Sequence, residues 1–231
     1  MKKLAFLIFI AAITIGICIS YATGNVGSAS SWLKFNLGGV RGSGNVITQT
    51  REVPKFTGID FGGAMNVEIV AQKSQSVEIE TDDNIMPLIT TEVKGDTLYI
   101  SNAQKISWHN PVKVRISVED LDSLNVSGAS KANATNIKAD TFKLDVSGAS
   151  KIKLAGEAVA FNADSSGASK IDAEDLKASR VKASASGACK ISVFATESVD
   201  ADASGASKVS VSGNPKTVNK RTSGASSVSQ N

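Results

Sequence analysis

The sequence predicts an all-β solenoid, a parallel β-helix with coils of about 19–20 residues, on three observations. First, the phrase Ser-Gly-Ala-Ser-Lys stands at Ser127–Lys131, Ser147–Lys151, Ser166–Lys170 and Ser204–Lys208. It returns with a cysteine at Ser186–Lys190 and as Ser-Gly-Ala-Ser-Ser at Ser223–Ser227, with successive copies starting 20, 19, 20, 18 and 19 residues apart. A period that short marks a stack in which each repeat is one turn. Second, apolar or small residues alternate with polar ones at period two through each copy, as strands with one buried face require. Third, the chain beyond its first two dozen residues shows no 3.6-residue apolar period.

The N-terminus reads as a targeting segment. Lys2 and Lys3 form a charged region, Leu4–Ile19 an apolar run, and Ser20-Tyr21-Ala22 a small-residue cleavage site, so residues 1–22 are expected to be a signal peptide. The run is shorter than the about 20 residues of a comfortable membrane span, so no integral span is expected after cleavage, with an uncleaved anchor as the alternative. Cys18 raises a lipoprotein signal, but Ile17 stands where such a signal needs a small residue. Export changes the charge: losing Lys2 and Lys3 takes 25 basic residues to 23, against 22 acidic. That near-neutral balance argues against nucleic acid as a partner. Only Cys189 remains of the two cysteines, so no intrachain disulfide is expected.

Residues 23–44, rich in Gly and Ser but carrying Trp32, Leu33, Phe35 and Leu37, read equally as a tether or as an N-terminal cap. A cap has a physical motive, because an open solenoid end exposes core and unpaired strand edges. The solenoid itself is expected over 45–231. Strand signals follow at Val46–Thr50, Ile59–Val70, Val77–Thr81, Leu98–Ser101 and Val112–Val118, separated by turn residues such as Asp82-Asp83-Asn84 and Lys94-Gly95-Asp96.

Counting outward from each repeat glycine in steps of two gives an inward set. In the second copy it is Leu144, Val146, Gly148, Ser150, Ile152 and Leu154, against Asp145, Ser147, Ala149, Lys151 and Lys153 outward. Ile59–Ile69 aligns with Leu144–Leu154 without a gap, placing Phe61 at Val146 and Met65 at Ser150. Early coils thus carry the larger core residues. Coils stack about 4.8 Å apart, so equivalent residues form columns. An inward serine column is expected to pass hydroxyl hydrogen bonds between coils, and the glycine fits a corner with positive φ or close backbone approach. Cys189 in the serine column marks a tight, buried position. Roughly ten coils after Asn45 would make a rod of about 45–50 Å.

The segment Val53-Pro54-Lys55-Phe56-Thr57-Gly58-Ile59-Asp60-Phe61-Gly62-Gly63, the export signal and the Ser-Gly-Ala-Ser-Lys coils together resemble the "putative auto-transporter adhesin, head GIN domain" family of exported bacterial proteins, common in Bacteroidetes and also filed as a domain of unknown function. The resemblance spans about Val46 to Val228. It implies a single-stranded right-handed parallel β-helix and an adhesive role, but brings no catalytic or binding residues with it. The last repeat begins at Ser223 and the sequence stops at Asn231, so no autotransporter pore is expected within it.

The most prominent surface feature is an outward column of Lys131, Lys151, Lys170, Lys190 and Lys208. Five stacked ammonium groups can hold an anionic polymer such as an acidic polysaccharide through repeated weak contacts. The plainer reading is that lysine keeps a β surface soluble and unaggregated. Trp108-His109-Asn110-Pro111, with the single histidine, lies between strands, where the tryptophan either stacks on a sugar ring or covers an apolar coil edge. Asp145, Asp164 and Asp202 share a column, one per coil, with no neighbouring carboxylate expected to complete a metal site.

Catalysis is not expected. A serine nucleophile needs a base beside it, and equivalent serines with one distant histidine do not supply it. Polysaccharide lyases and hydrolases on β-helices need clustered carboxylates in a cleft, which uniform repeats do not furnish. The sequence therefore points to a non-catalytic exported module that needs no cofactor and binds an acidic glycan or an envelope or host protein, in the periplasm, at the outer-membrane surface or secreted. A structural or scaffold role in the envelope is the alternative, with a polysaccharide-acting enzyme third.

Overall fold

A computed structural model describes residues 39–104, 106–107 and 111–230, which fall almost entirely in one compact unit, Val40–Asn231. In chain order its strands are β1 (Val40–Arg41), β2 (Val46–Thr50), β3 (Gly58–Phe61), β4 (Met65–Val70), β5 (Ser76–Asp82), β6 (Ile89–Lys94), β7 (Thr97–Asn102), β8 (Ile106–Ser107) and β9 (Val112–Ser117). They continue with β10 (Ser123–Val126), β11 (Lys131–Val146), β12 (Lys151–Gly167), β13 (Lys170–Gly187), β14 (Lys190–Ala203), β15 (Lys208–Ser212), β16 (Thr217–Thr222) and β17 (Ser227–Gln230). From β10 on, every pairing is parallel and joins one coil to the next, in a β-solenoid of about five turns.

The expectation of about ten coils is corrected. Residues 76–94 add no parallel coil; β5 pairs antiparallel with both β2 and β9, and β6 pairs antiparallel with β7. The reason is local. Gly95 and Asp96 alone join β6 to β7, with Gly95 at φ +60, and so short a link permits only an antiparallel return, since parallel neighbours need a crossover of a dozen residues or more. Asp82-Asp83-Asn84 does turn, and is tied to the preceding segment: Asn84 Nδ2 donates to the Arg41 carbonyl at 2.8 Å and the Ser43 amide donates to Asn84 Oδ1 at 2.9 Å. The Ser43 hydroxyl and Asn45 Nδ2 both donate to the Asp83 carboxylate, which holds it below its ordinary value.

Coil order also departs from chain order. The β3–β4 coil comes first in the chain, but β7 and β9 stack on one side of it and β10 and β11 on the other. The gapless alignment of the early coil with the later repeats holds through this rearrangement: Ile59 stacks on Leu124 and then Leu144, and Val67 on Ala132 and then Ile152.

The core runs along the stack and shrinks as it goes. Phe142 and Phe161 stack face to face at 6.0 Å, and their column continues as Val181, Val199 and Val218. Leu144 is followed by Ala163, Ala183 and Ala201.

At the corner the strict alternation fails. Ser147, Gly148 and Ala149 are exposed in succession before Ser150 turns in, so the glycines assigned inward lie on the surface, and the alanines stay outside with them. Glycine is needed there for two reasons. Gly148 has φ +83, and a Cβ on it would lie 2.3 Å from the carbonyl oxygen of Gly128 in the adjoining coil. That carbonyl accepts the Ala149 amide at 2.7 Å, and the same bond recurs at Ala168, Ala188 and Ala206.

Ser130, Ser150, Ser169, Cys189 and Ser207 are buried, but their bonds run chiefly to backbone rather than from hydroxyl to hydroxyl. The Ser150 hydroxyl accepts the Ser130 amide at 3.3 Å and donates to the Gly128 carbonyl at 3.3 Å; Ser207 does the same for Cys189 and Gly187. Ser130, Ser150 and Ser207 thus fasten the corner of the coil before them, whereas the Ser169 hydroxyl bonds the Ser165 hydroxyl and the Cys189 thiol. The Cys189 thiol donates to the Ser186 carbonyl at 3.2 Å, filling the role less completely. Burial pushes that thiol up, but hydrogen bonds from Ser165 and Ser169 outweigh it and leave it below its ordinary value.

Candidate functional site

Because the corners are locked, outward residues stand in fixed columns. Lys131 is in register with Lys151, Lys151 with Lys170, Lys170 with Lys190, and Lys190 with Lys208. All five side chains are exposed. Among the described residues, no acidic group comes within ion-pair distance of any of them.

Neighbouring lysines behave differently. Lys113 continues the same column beyond Asn66, yet its Nζ lies 2.7 Å from Glu80. Arg115 closes this cluster on Glu78 and Glu80 at 2.7 and 3.0 Å. The hydrogen bonds from Lys113 and Arg115 hold the Glu80 carboxyl below its ordinary value. Lys153, one outward position from Lys151, reaches Asp175 at 3.0 Å, and that contact raises its ammonium pKa. Unlike Lys113 and Lys153, the five column lysines are in register and exposed with no ion-pair partner among the described residues.

Across the corner lies a strip of opposite character. The aspartates stand in the expected column: Asp145 and Asp164 are register partners, with Ser184 next and Asp202 after it. Asn125 and Asp60 extend this column, Asn125 Nδ2 donating to Asp60 Oδ2 at 3.3 Å. Burial, reinforced by the Asp164 charge, raises the Asp145 carboxyl above its ordinary value. Asp145, Asp164, Ser184 and Asp202, with Ser147, Ser166 and Ser186, line a groove of about 510 Å³. Among the described residues no group of three or more His, Cys, Asp or Glu is placed to hold a metal ion.

Trp108 and His109 lie outside the described residues. The sequence reading missed a third face, where Lys138, Glu157 and Lys177 form a column of alternating charge beside the exposed Val159, in a groove of about 1020 Å³. Counting from the corner glycine could not reach it. Irregularities between Ala134 and Ile137, and between Lys153 and Ala155, shift the register before that face begins.

A sequence model described as "Putative auto-transporter adhesin, head GIN domain" matches residues 55–215, from the first full coil through the last long strands. The chain belongs to this family. Among solved structures it is similar to a "putative adhesin" from Bacteroides fragilis, at 24% identity and TM-score 0.67, over 84% of this chain and 100% of that one. A "putative lipid binding protein" from Parabacteroides distasonis aligns at 20% identity and TM-score 0.53, over 83% and 99%. A "putative adhesin" from Parabacteroides merdae aligns at 18% identity and TM-score 0.51, over 83% and 98%. At these identities the likeness concerns the fold. No curated protein matches the chain. In this family member the corner glycines, buried serines and tapering core account for the solenoid, and the lysine column is not needed to build it.

Proposed function

We propose that this chain is an exported, non-catalytic binding module whose lysine-bearing face engages an acidic glycan or an acidic protein at the cell envelope. The observation that carries this reading is the in-register column from Lys131 to Lys208 with no ion-pair partner among the described residues. Like charges stacked about 4.8 Å apart repel one another even in water, an arrangement that an anionic ligand relieves. The N-terminal charged and apolar segments support export, and the names of the structural neighbours are in keeping with adhesion. The aspartate strip supports a preference for anions on one side of the corner only, because its carboxylates repel them from the other.

The test replaces all five lysines by glutamine and compares binding of both proteins to an array of acidic glycans and matrix proteins. Wild-type binding should fall with rising salt and be lost in the variant, with circular dichroism and melting temperature unchanged. Equal binding by both proteins would overturn the assignment of the site. Protease accessibility on intact cells distinguishes surface display from a periplasmic location.

A further inference from the structure

Resting on that reading, we infer that the preferred ligand is a linear polyanion carrying one charge on every monomer, such as a homopolyuronate, lying along the solenoid axis with successive charges on successive coils. The repeat supplies one ammonium per coil with no gap from Lys131 to Lys208. The rise per coil is about 4.8 Å, so the column extends roughly 19 Å. A single exposed lysine–anion contact is worth about 0–1 kcal/mol, too little for specific capture. A ligand that runs along the axis joins five such contacts through its own covalent spacing, whereas one lying across the axis meets only one or two.

The surface beside the lysines admits such a chain closely. Ala149, Ala168 and Ala188, two positions before their lysines, are exposed and leave a low floor; Ser147, Ser166 and Ser186 on its far side are exposed too. A sugar ring lying on the alanines would present carboxylates toward the ammonium groups and hydroxyls toward serine. The amide–carbonyl bonds of the corner, 2.7–2.8 Å in each coil from Ala149 to Ala206, fix this floor, so the charge spacing is set before the ligand arrives. The four-carbon lysine stems absorb the twist of the polymer.

The experiment titrates the protein with oligogalacturonates of two to eight sugars, and with hyaluronan oligosaccharides, which carry a carboxylate on every second sugar. The expected result is affinity that climbs at least 10-fold between two and five galacturonates and then levels off, with hyaluronan of equal length markedly weaker. Lys170→Gln, at the centre, should cost roughly 2- to 5-fold for the pentamer and little for the dimer. Equal affinity for the two polymers at equal length, abolished by the fivefold glutamine variant, would overturn the one-charge-per-coil register while leaving the lysine face as a polyanion site. Binding of neither polymer, alongside retained lysine-dependent capture on the array, would overturn the polyuronate class alone. Loss of lysine-dependent binding to every anion would overturn both readings.

Discussion

The coils between β3 and β9 and those from β10 onward bury the same kind of surface with different means. The early end uses large side chains, with Ile59, Phe61, Met65, Ile69, Ile79 and Ile116 almost completely buried, covers itself with antiparallel strands, and neutralises its charges in the Glu78, Glu80, Lys113 and Arg115 cluster. The later coils hold mostly Ala, Ser, Val and Ile inside, rely on glycine corners and serine hydroxyls, and leave the five column lysines without an ion-pair partner among the described residues. Regularity is what separates them. A repeated small core lets each coil sit directly on the last, so outward residues form straight columns; a core of large, varied side chains does not repeat and carries no such column for long.

The largest expected effect breaks the corners. In Gly167→Ala the new Cβ lies 2.5 Å from the Gly148 carbonyl oxygen at φ +87, and should cost roughly 3 kcal/mol or more. Gly95→Ala in the β6–β7 turn has a positive φ of +60 but no atom within 4 Å, so its cost should stay at about 1–2 kcal/mol. Urea titration of both variants measures the difference; equal costs would mean that coil contact adds nothing to the dihedral penalty.

A smaller effect separates the two buried groups that occupy the same column. Ser150→Ala removes the acceptor for the Ser130 amide and should cost about 1–3 kcal/mol. Cys189→Ser restores the residue found in the other coils and should fall within about 1 kcal/mol of neutral. Thermal unfolding of the two proteins ranks them.

The smallest effect concerns the aspartate strip. Because burial and Asp164 raise the Asp145 pKa in the folded chain, the folded state binds more protons than the unfolded one between the ordinary and raised values, and stability falls as pH rises through that window. At neutral pH Asp145→Asn should therefore be only slightly stabilising, since solvent screens this exposed carboxylate, and the variant should lose part of the wild type's gain in stability on mild acidification. Unfolding curves from neutral pH down to the ordinary carboxylate range test both signs.

Much of this was legible in the residues themselves. The period of the Ser-Gly-Ala-Ser-Lys phrase located the later strands and their register, because identical residues at a fixed interval have only one stacking in which every hydrophobic position stays inside. It also gave the lysine column and the buried place of Cys189. The antiparallel pairing of the early end was not legible. Strand signals at Val77–Thr81 and Leu98–Ser101 are the same whether a strand pairs parallel or antiparallel; the two-residue turn at Gly95 and Asp96 decides the β6–β7 pair alone, and the antiparallel pairing of β5 with β2 and β9 comes from distant segments. The outward glycine could not be read by counting in twos, since a corner residue with positive φ interrupts the alternation.

By itself, then, the sequence determined the repeating unit, the buried and exposed sets along most of each coil, and the family to which the chain belongs. Tertiary structure alone decided which coils are neighbours, placing the β3–β4 coil between a later segment and a still later one. It also decided which charges are compensated. Lys113 and Lys131 stand in one column, yet only Lys113 has Glu80 brought beside it by an antiparallel strand. Stacking follows from local periodicity, whereas pairing between distant segments depends on how the chain returns, and nothing in a single repeat encodes that.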